Sequence, residues 1–586
     1  MALIPGLPSL GLGHRAVDIA VYTLGAICFV LVTVFAYLWL YCDWTLSYRD
    51  LPGPPRTSWF WGNLQATFAA EPGAMHAEWT DTYGPTFRYR MLFGTSRVCT
   101  ADPVALTYIF THVDKFPKPG LIRQFLVELL GNGVFAAEGA DHRRQRRALN
   151  PCFSPQSIRD ILPIFYDKAE ELRGKLLGLI QDDSEGIASP TPTAEGDAVP
   201  GGRKIEVMRY LGMCTIDIVG PAAFGYEVRS LSQPNNELFD AFSTLVEVGQ
   251  DFNAVAVLQT FVPYMDRIPT KRMAAMRNSK ATTQRIGRSL VAEKKWAIEQ
   301  SHSKGGEDVG RDILSTCIRA NMAADVGTEQ KMTDEEVLSQ ITTFVRSAPP
   351  FCWAGADQWM LAGNETSSSA LTWVLYLLSQ HPDIQAKLRE ECLAVTDTRP
   401  SLEDISALPY LDAVLHETLR LYSPVPSTLR EAAEDVIVPL GTPVKDRNGR
   451  MIDSMKLSQG SSIYIPISVV NTSKQIWGPD AHLFNPSRHF STDDTFDAQQ
   501  KSVPGVWGSI LTFLGGRRSC VGLSFALAEM KVILFVLIRS LEFEELASKP
   551  KIVKKATLTM RPGVIGEEAA GPQMPLMVKP YTQAQS

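Results

Sequence analysis

The residues best suited to chemistry lie in one short stretch, FLGGRRSCVG (513–522), placed immediately before the apolar run LSFALAEMKVILFVLIRSL (523–541). A cysteine at the start of a helix meets unpaired backbone N–H groups and the positive end of the helix dipole, and both favour the thiolate. Gly516 and Gly522 let the backbone turn tightly and approach the Cys520 sulfur with no Cβ in the way. Phe513 can shield that sulfur from water, and Arg518 can pair with a carboxylate on a bound group. The chain has no C-x-x-C pair and no H-E-x-x-H spacing, so a metal held here has Cys520 as its lone protein ligand. The plain alternative is a buried, inert cysteine in a Gly-rich turn. Five residue types fixed at this spacing arise by chance with odds on the order of 10⁻⁴ in a chain of this length.

Three further groupings carry polar chemistry. In AGNET (362–366), the acid Glu365 and the hydroxyl of Thr366 follow the small Ala362 and Gly363, a set that taken alone is most often an ordinary polar helix turn. Glu417 and Arg420, in HETLRL, share one helix face at i,i+3. Taken alone, such a pair is most often a solvated surface pair worth under about 1 kcal/mol. Five of the six positions 142–147 in DHRRQRRALN are basic, His142 and Arg146 among them, a run that usually marks a solvated or phosphate-attracting face.

F-x-x-G-x-R-x-C-x-G resembles the haem-binding loop of the cytochrome P450 family, and the resemblance runs through nearly the whole chain. It implies that Cys520 is the axial ligand of a haem b iron, within a loop formed by Phe513, Gly516, Arg518 and Gly522. It implies that Arg146, with His142 in place of the usual aromatic residue, and Arg430 in STLREA pair with haem propionates. Ala362, Gly363, Glu365 and Thr366 match the oxygen-activation segment, with Glu365 linking Thr366 to solvent. Glu417, Arg420 and Arg488 match a buried structural triad. Here Ser487 replaces the usual acid of the family's P-E-R-F segment, and His489 interrupts its final pair. The implied reaction inserts one oxygen atom into a hydrophobic small molecule. Electrons come from NADPH through a separate NADPH–cytochrome P450 reductase, with cytochrome b5 as a further donor, since no nucleotide or flavin motif is visible in the chain. The pattern is that of a fungal microsomal enzyme of secondary metabolism. An isomerase or dehydratase acting on peroxides without external electrons is a second reading, against which the Glu365–Thr366 pair counts.

Mostly helical patterns with short strand-like pieces at 86–89, 462–467 and 576–579 predict a mostly α fold with small β-sheets; the resemblance implies the helical prism of the cytochrome P450 family around a buried haem. A long helical pattern covers 334–378, opened by the capping box Thr333-x-x-Glu336. With 586 residues, 45% hydrophobic and 20% charged, the chain can bury a large core. A net charge of −6 provides no basic footprint and excludes nucleic acid as an expected partner. Nine dispersed cysteines fit a reducing compartment.

After a short lead (1–18), residues 19–41 carry no charge and end in a cluster of aromatic rings, the pattern of a single membrane-crossing anchor. A Pro-rich hinge (42–56) follows, then the catalytic body (57–586). This order predicts a protein of the endoplasmic reticulum membrane with its body on the cytoplasmic face and lipid among its partners. Residues 181–202, rich in Ser, Pro, Thr and Gly, read as a disordered loop. Residues 345–359, with adjacent Pro349 and Pro350, interrupt the oxygen-activation helix. They read either as a gene-model artefact, such as an unspliced intron, or as a real bulge. If translated, they leave a catalytically inactive haem protein as a further reading.

Overall fold

The computed structural model describes residues 11–37, 42–130, 132–181, 201–233, 312–322, 361–490, 500–556 and 559–582, with isolated residues between 289 and 331. The 345–359 segment, the capping box at Thr333, and nearly all of the 181–202 loop lie outside them. The chain passes through α1 (Gly11–Ala36), β1 (Thr86–Arg90), β2 (Ser96–Thr100), α2 (Pro103–Thr111), α3 (Gly139–Leu149) and α4 (Pro155–Gln181). Then come β3 (Arg203–Glu206), α5 (Val207–Phe224), α6 (Thr366–Gln380), α7 (Pro409–Leu421), β4 (Thr428–Glu431), β5 (Val436–Lys445) and β6 (Met451–Leu457). The last elements are β7 (Ser462–Ile465), α8 (Leu523–Ile538), β8 (Leu541–Glu544), β9 (Ile552–Ala556), β10 (Met560–Val564) and β11 (Pro575–Pro580).

The body is mostly helical, with small sheets. Helix α8 is apolar on every side and is buried along most of its length, as such a helix must be. Helix α4 instead buries one stripe, including Ile158, Ile161, Leu162, Phe165 and Ala169, and turns its charged residues outward. Helix α4 packs on α5 and α8, and α6 packs on the same two helices, giving the central bundle. Four sheets flank it, in the orders β1-β2-β7-β4, β3-β11-β8, β5-β6 and β9-β10. Strand β7 stops at Ile465, short of the expected 467, because Pro466 has no N–H to donate and a short helix begins at Ile467. Helix α8 stops at Ile538 rather than running to 541, since Leu541 already pairs with Pro580 of β11.

The Pro-rich hinge is fixed to the body. The Arg88 N–H donates to the Pro52 carbonyl at 2.9 Å. Gly53 sits so close to β1 that a Cβ would lie 1.8 Å from the Arg88 oxygen. The described residues do not show the expected anchor. Helix α1 is 26 residues long but begins in a polar turn containing His14, Arg15 and Asp18, and residues 38–41 lie outside the described ones. Among the described residues no helix is long and apolar enough to cross a membrane.

One buried charge cluster holds the cysteine loop in place. Glu417 and Arg420 of α7 are both 0% exposed and bonded at 2.8 Å through both carboxylate oxygens. Arg420 also donates to the carbonyls of Asn471 (3.0 Å) and Ala481 (2.6 Å). The Asn471 side chain then accepts from the Leu511 N–H at 2.8 Å and donates to the Thr512 hydroxyl at 2.9 Å, directly before Phe513. Burial opposes ionisation of Glu417, but hydrogen bonds from Arg420 and His489 hold its carboxyl far below the usual range. Replacing Glu417→Gln leaves Arg420 buried without its counter-charge, and the expected loss is roughly 3–5 kcal/mol. It should appear as a lower urea midpoint at pH 7. Because the folded carboxyl is depressed, the wild-type advantage is present above the ordinary carboxyl value of 4.5 and shrinks as the pH falls below it. An advantage that persists unchanged into acid would contradict this account.

Candidate active site

The cysteine loop folds back on itself, with the Cys520 N–H donating to the Phe513 carbonyl at 2.9 Å. Phe513 is buried edge-on against Trp507, ring centroids 5.7 Å apart. Gly516 has φ +61°, and a Cβ there would lie 2.5 Å from the Phe110 carbonyl of α2, so both conformation and space demand glycine. Gly522 differs from expectation. Its φ of −89° is ordinary, and a Cβ would meet only a Phe153 ring carbon at 3.9 Å. Within the chain, its contribution is the backbone N–H directed at the Cys520 sulfur.

The Cys520 side chain keeps accessible surface, yet burial pushes its thiol above the ordinary value. The sulfur therefore faces an enclosed space rather than bulk water. The Gly522 N–H and Arg146 offset part of the burial cost, so the thiolate needs a further positive partner. Arg146 of α3 lies against the loop, its Nη1 donating to the Ser519 carbonyl at 2.6 Å and its Nε to Asn150 at 3.0 Å. His142, also on α3, is buried. Desolvation, aided by Lys118, Arg146 and Arg143, pushes it to about 4, so its imidazole is neutral near pH 7.

Arg430 is 4% exposed and bonds only neutral atoms, the Thr428 hydroxyl at 2.9 Å and the Leu429 carbonyl at 2.7 Å. Burial alone pushes its guanidinium down to about 10. Arg518, expected to pair with a carboxylate on a bound group, pairs within the chain with Glu138 and donates to the Ala137 carbonyl at 2.7 Å. Lys118 shares the same carboxylate at 3.2 Å. One acid thus faces Lys118 and Arg518, with Arg430 and Arg123 close enough to act on Lys118 electrostatically. Lys118 and Glu138 carried no signal in the sequence. The pairing of Glu138 with Arg518 spans 380 positions. This buried excess of positive charge beside a thiol suits a dianionic, metal-bearing group, and haem with its two propionates fits it.

The AGNET segment forms a π-turn, Leu361–Glu365, that passes into α6 at Thr366. Such turns add a residue to the helical repeat and loosen it locally. The side chain of Ala362 is not described. Gly363 is required by packing, since a Cβ would lie 2.9 Å from Val219 Cγ2 on α5. Asn364 is buried and accepts from the Thr215 hydroxyl at 2.5 Å. Glu365 is tied within the chain: its Oε2 accepts from Arg561 Nε at 2.9 Å, and its side chain is 13% exposed.

Arg488 joins Glu417 at 3.3 Å and Asp480 at 2.8 Å. His489, the residue that breaks the expected segment, places Nε2 3.1 Å from Glu417 and 3.2 Å from His416 Nδ1. It therefore joins the triad rather than disturbing it.

A family model for cytochrome P450 matches residues 52–565. The chain belongs to the cytochrome P450 family. It is similar to cytochrome P450 monooxygenase 205 of Postia placenta, 37% identical over 543 residues covering 92% of this chain and 94% of that protein. Cytochrome P450 monooxygenase 128 of the same fungus is also 37% identical, over 557 residues covering 93% and 95%. Cytochrome P450 monooxygenase claW of Ampulloclitocybe clavipes is 32% identical over 539 residues, covering 91% and 93%. The chain is thus an oxidoreductase of the monooxygenase class and of fungal type. The family binds haem iron through a cysteine thiolate and draws on NADPH through a reductase.

Between α6 and α8 lies a further acid. Glu529 is 0% exposed, and neither of its oxygens, nor the nearby Ser367 hydroxyl, closes a hydrogen bond. Burial raises its carboxyl to about 8, only partly offset by Ser367. The folded chain therefore holds this proton more tightly than the unfolded chain. The contribution to stability is full below the ordinary value of 4.5 and is lost as the pH rises to about 8. Glu529→Gln should remove about 1.4 kcal/mol of that decline per pH unit. Urea titrations of both forms from pH 5 to pH 8 test this, and parallel curves would exclude it.

Proposed function

We propose that this chain is a membrane-attached haem-thiolate monooxygenase that inserts one oxygen atom into a hydrophobic small molecule. The observation that carries the reading is the Cys520 thiol just before α8, acted on by Arg146 and the Gly522 N–H, in a loop whose Arg518 clusters with Lys118 and Arg430. Cys520 would be the axial ligand, with Arg146, His142, Arg430 and Lys118 receiving the propionates. Haem held there supplies the activation of oxygen by two electrons, which reach it from NADPH–cytochrome P450 reductase or, for the second, from cytochrome b5.

The chain's own contributions follow from where its side chains stand. Phe513 and Trp507 exclude water from the proximal side of the sulfur. The Gly522 N–H points at the sulfur and stabilises its anionic form. On the opposite side, the Thr366 hydroxyl at the π-to-α junction receives a proton and passes it on, and the Glu365 carboxyl next to it resupplies that proton. Gly363 lets α5 close on this turn, which keeps Thr366 in register.

Attachment to the endoplasmic reticulum membrane, with the body on the cytoplasmic side, is supported by the uncharged 19–41 stretch. Ile19, Tyr22, Phe29 and Val32 of α1 are each more than 60% exposed, an apolar surface better suited to lipid than to water. That placement favours substrates that partition into lipid.

The reduced, carbon-monoxide-bound absorption spectrum is the direct test. The full chain should show the strongly red-shifted Soret band of thiolate ligation, and Cys520→Ser should lose it while keeping folded protein. If the full chain takes up no haem but a form lacking 345–359 does, the segment is foreign to the enzyme. A thiolate band that survives in Cys520→Ser would overturn the assignment of the ligand.

A further inference from the structure

Glu365 is tied to a distant part of the chain. Arg561, on β10, donates from Nε to Glu365 Oε2 at 2.9 Å, and its Nη2 reaches the same oxygen. Both side chains are largely buried, 9% exposed for Arg561 and 13% for Glu365, so the pair is only weakly screened by water. Both contacts fall on Oε2, which leaves Oε1 to exchange a proton.

The strand carrying Arg561 is itself clasped to α6. The Met560 carbonyl accepts from the Ser369 hydroxyl at 2.5 Å and faces the Trp373 indole N–H at 3.5 Å. The Met560 N–H donates to the Pro424 carbonyl at 2.7 Å. Trp373 stacks on Tyr422, centroids 4.3 Å apart, and Lys554 of β9 lies over the Tyr422 ring at 4.3 Å. The β9–β10 hairpin is thus bonded to α6 about one turn beyond Thr366, and Arg561 extends the attachment back to the π-turn.

We propose that Arg561 is a positioning residue for proton delivery: it holds the Glu365 carboxylate beside Thr366 and couples it to the β9–β10 hairpin. The inference rests on the reading of Glu365 and Thr366 as the proton-delivery pair. Coupled turnover consumes NADPH, a proton, O₂ and substrate RH to give NADP⁺, ROH and water. When protons arrive out of place, NADPH, a proton and O₂ give NADP⁺ and H₂O₂ instead. A carboxylate freed from Arg561 can turn away from Thr366, and that loss of orientation favours the peroxide branch.

The test uses the full haem-loaded chain with its reductase and a double-mutant cycle of Arg561→Gln and Glu365→Gln, with Arg561→Lys as the conservative variant. Two quantities are read: peroxide formed per NADPH consumed, and the C–O stretching frequency of the reduced carbon-monoxide complex, which senses the field on the oxygen side without turnover. Arg561→Gln and Glu365→Gln should each raise the peroxide ratio several-fold and shift the C–O band. The double variant should match Glu365→Gln alone, and Arg561→Lys should recover most of both signals. If Arg561→Gln acts as strongly in the Glu365→Gln background as in the wild type, its role is merely structural and the proposal fails. If Glu365→Gln perturbs both signals and Arg561→Gln neither, the proposal also fails while the proton-delivery reading stands. If Glu365→Gln itself changes nothing, that reading falls first and the role of Arg561 falls with it.

Discussion

A carboxylate and a guanidinium at zero exposure persist together only when every charge-bearing atom has a partner, because an uncompensated charge in the interior costs several kcal/mol. Glu417 and Arg420 meet that condition through partners drawn from far along the chain: Asn471, Ala481, Asn485, Arg488 and His489. Satisfying the pair therefore fixes the segment 471–490, and Asn471 passes that constraint to Leu511 and Thr512. The loop that presents Cys520 begins at the next residue. The placement of the sulfur thus depends on a salt bridge that never touches it. His489 fits the same logic, giving the carboxylate one more donor in a site that must be saturated.

The second constraint is electrostatic. Around the sulfur, burial disfavours every charge, pushing Cys520 up and Arg430, Arg518 and Lys118 down. Glu138 pairs with Lys118 and Arg518 and Asp114 acts on Arg518 from farther off, so cations still outnumber acids in this set. An anion carrying a metal relieves both strains together: the metal stabilises the thiolate and the anion stabilises the guanidinium groups.

On the other side of the bundle, the π-turn at Leu361–Glu365 is held by neighbours rather than by its own backbone pattern. Val219 of α5 presses on Gly363, Thr215 bonds Asn364, and Arg561 bonds Glu365. A loosened helical repeat with its side chains pinned from outside can keep a hydroxyl and a carboxylate at a set spacing.

The amino-acid sequence by itself determined the elements whose signals are local. The cysteine, its flanking glycines and the apolar run of α8 lie within about thirty residues, so helix start, turn and candidate ligand could be read together. Strands β1, β7 and β11 were legible for the same reason. Only the tertiary structure decided what depends on partners far away. Within the chain Arg518 pairs with Glu138, Glu365 is held by Arg561, and Gly516 lies so close to α2 that a Cβ would collide with the Phe110 carbonyl. Each of these rests on contacts between segments separated by a hundred residues or more, or on a degree of burial, and neither leaves a periodic trace in the chain.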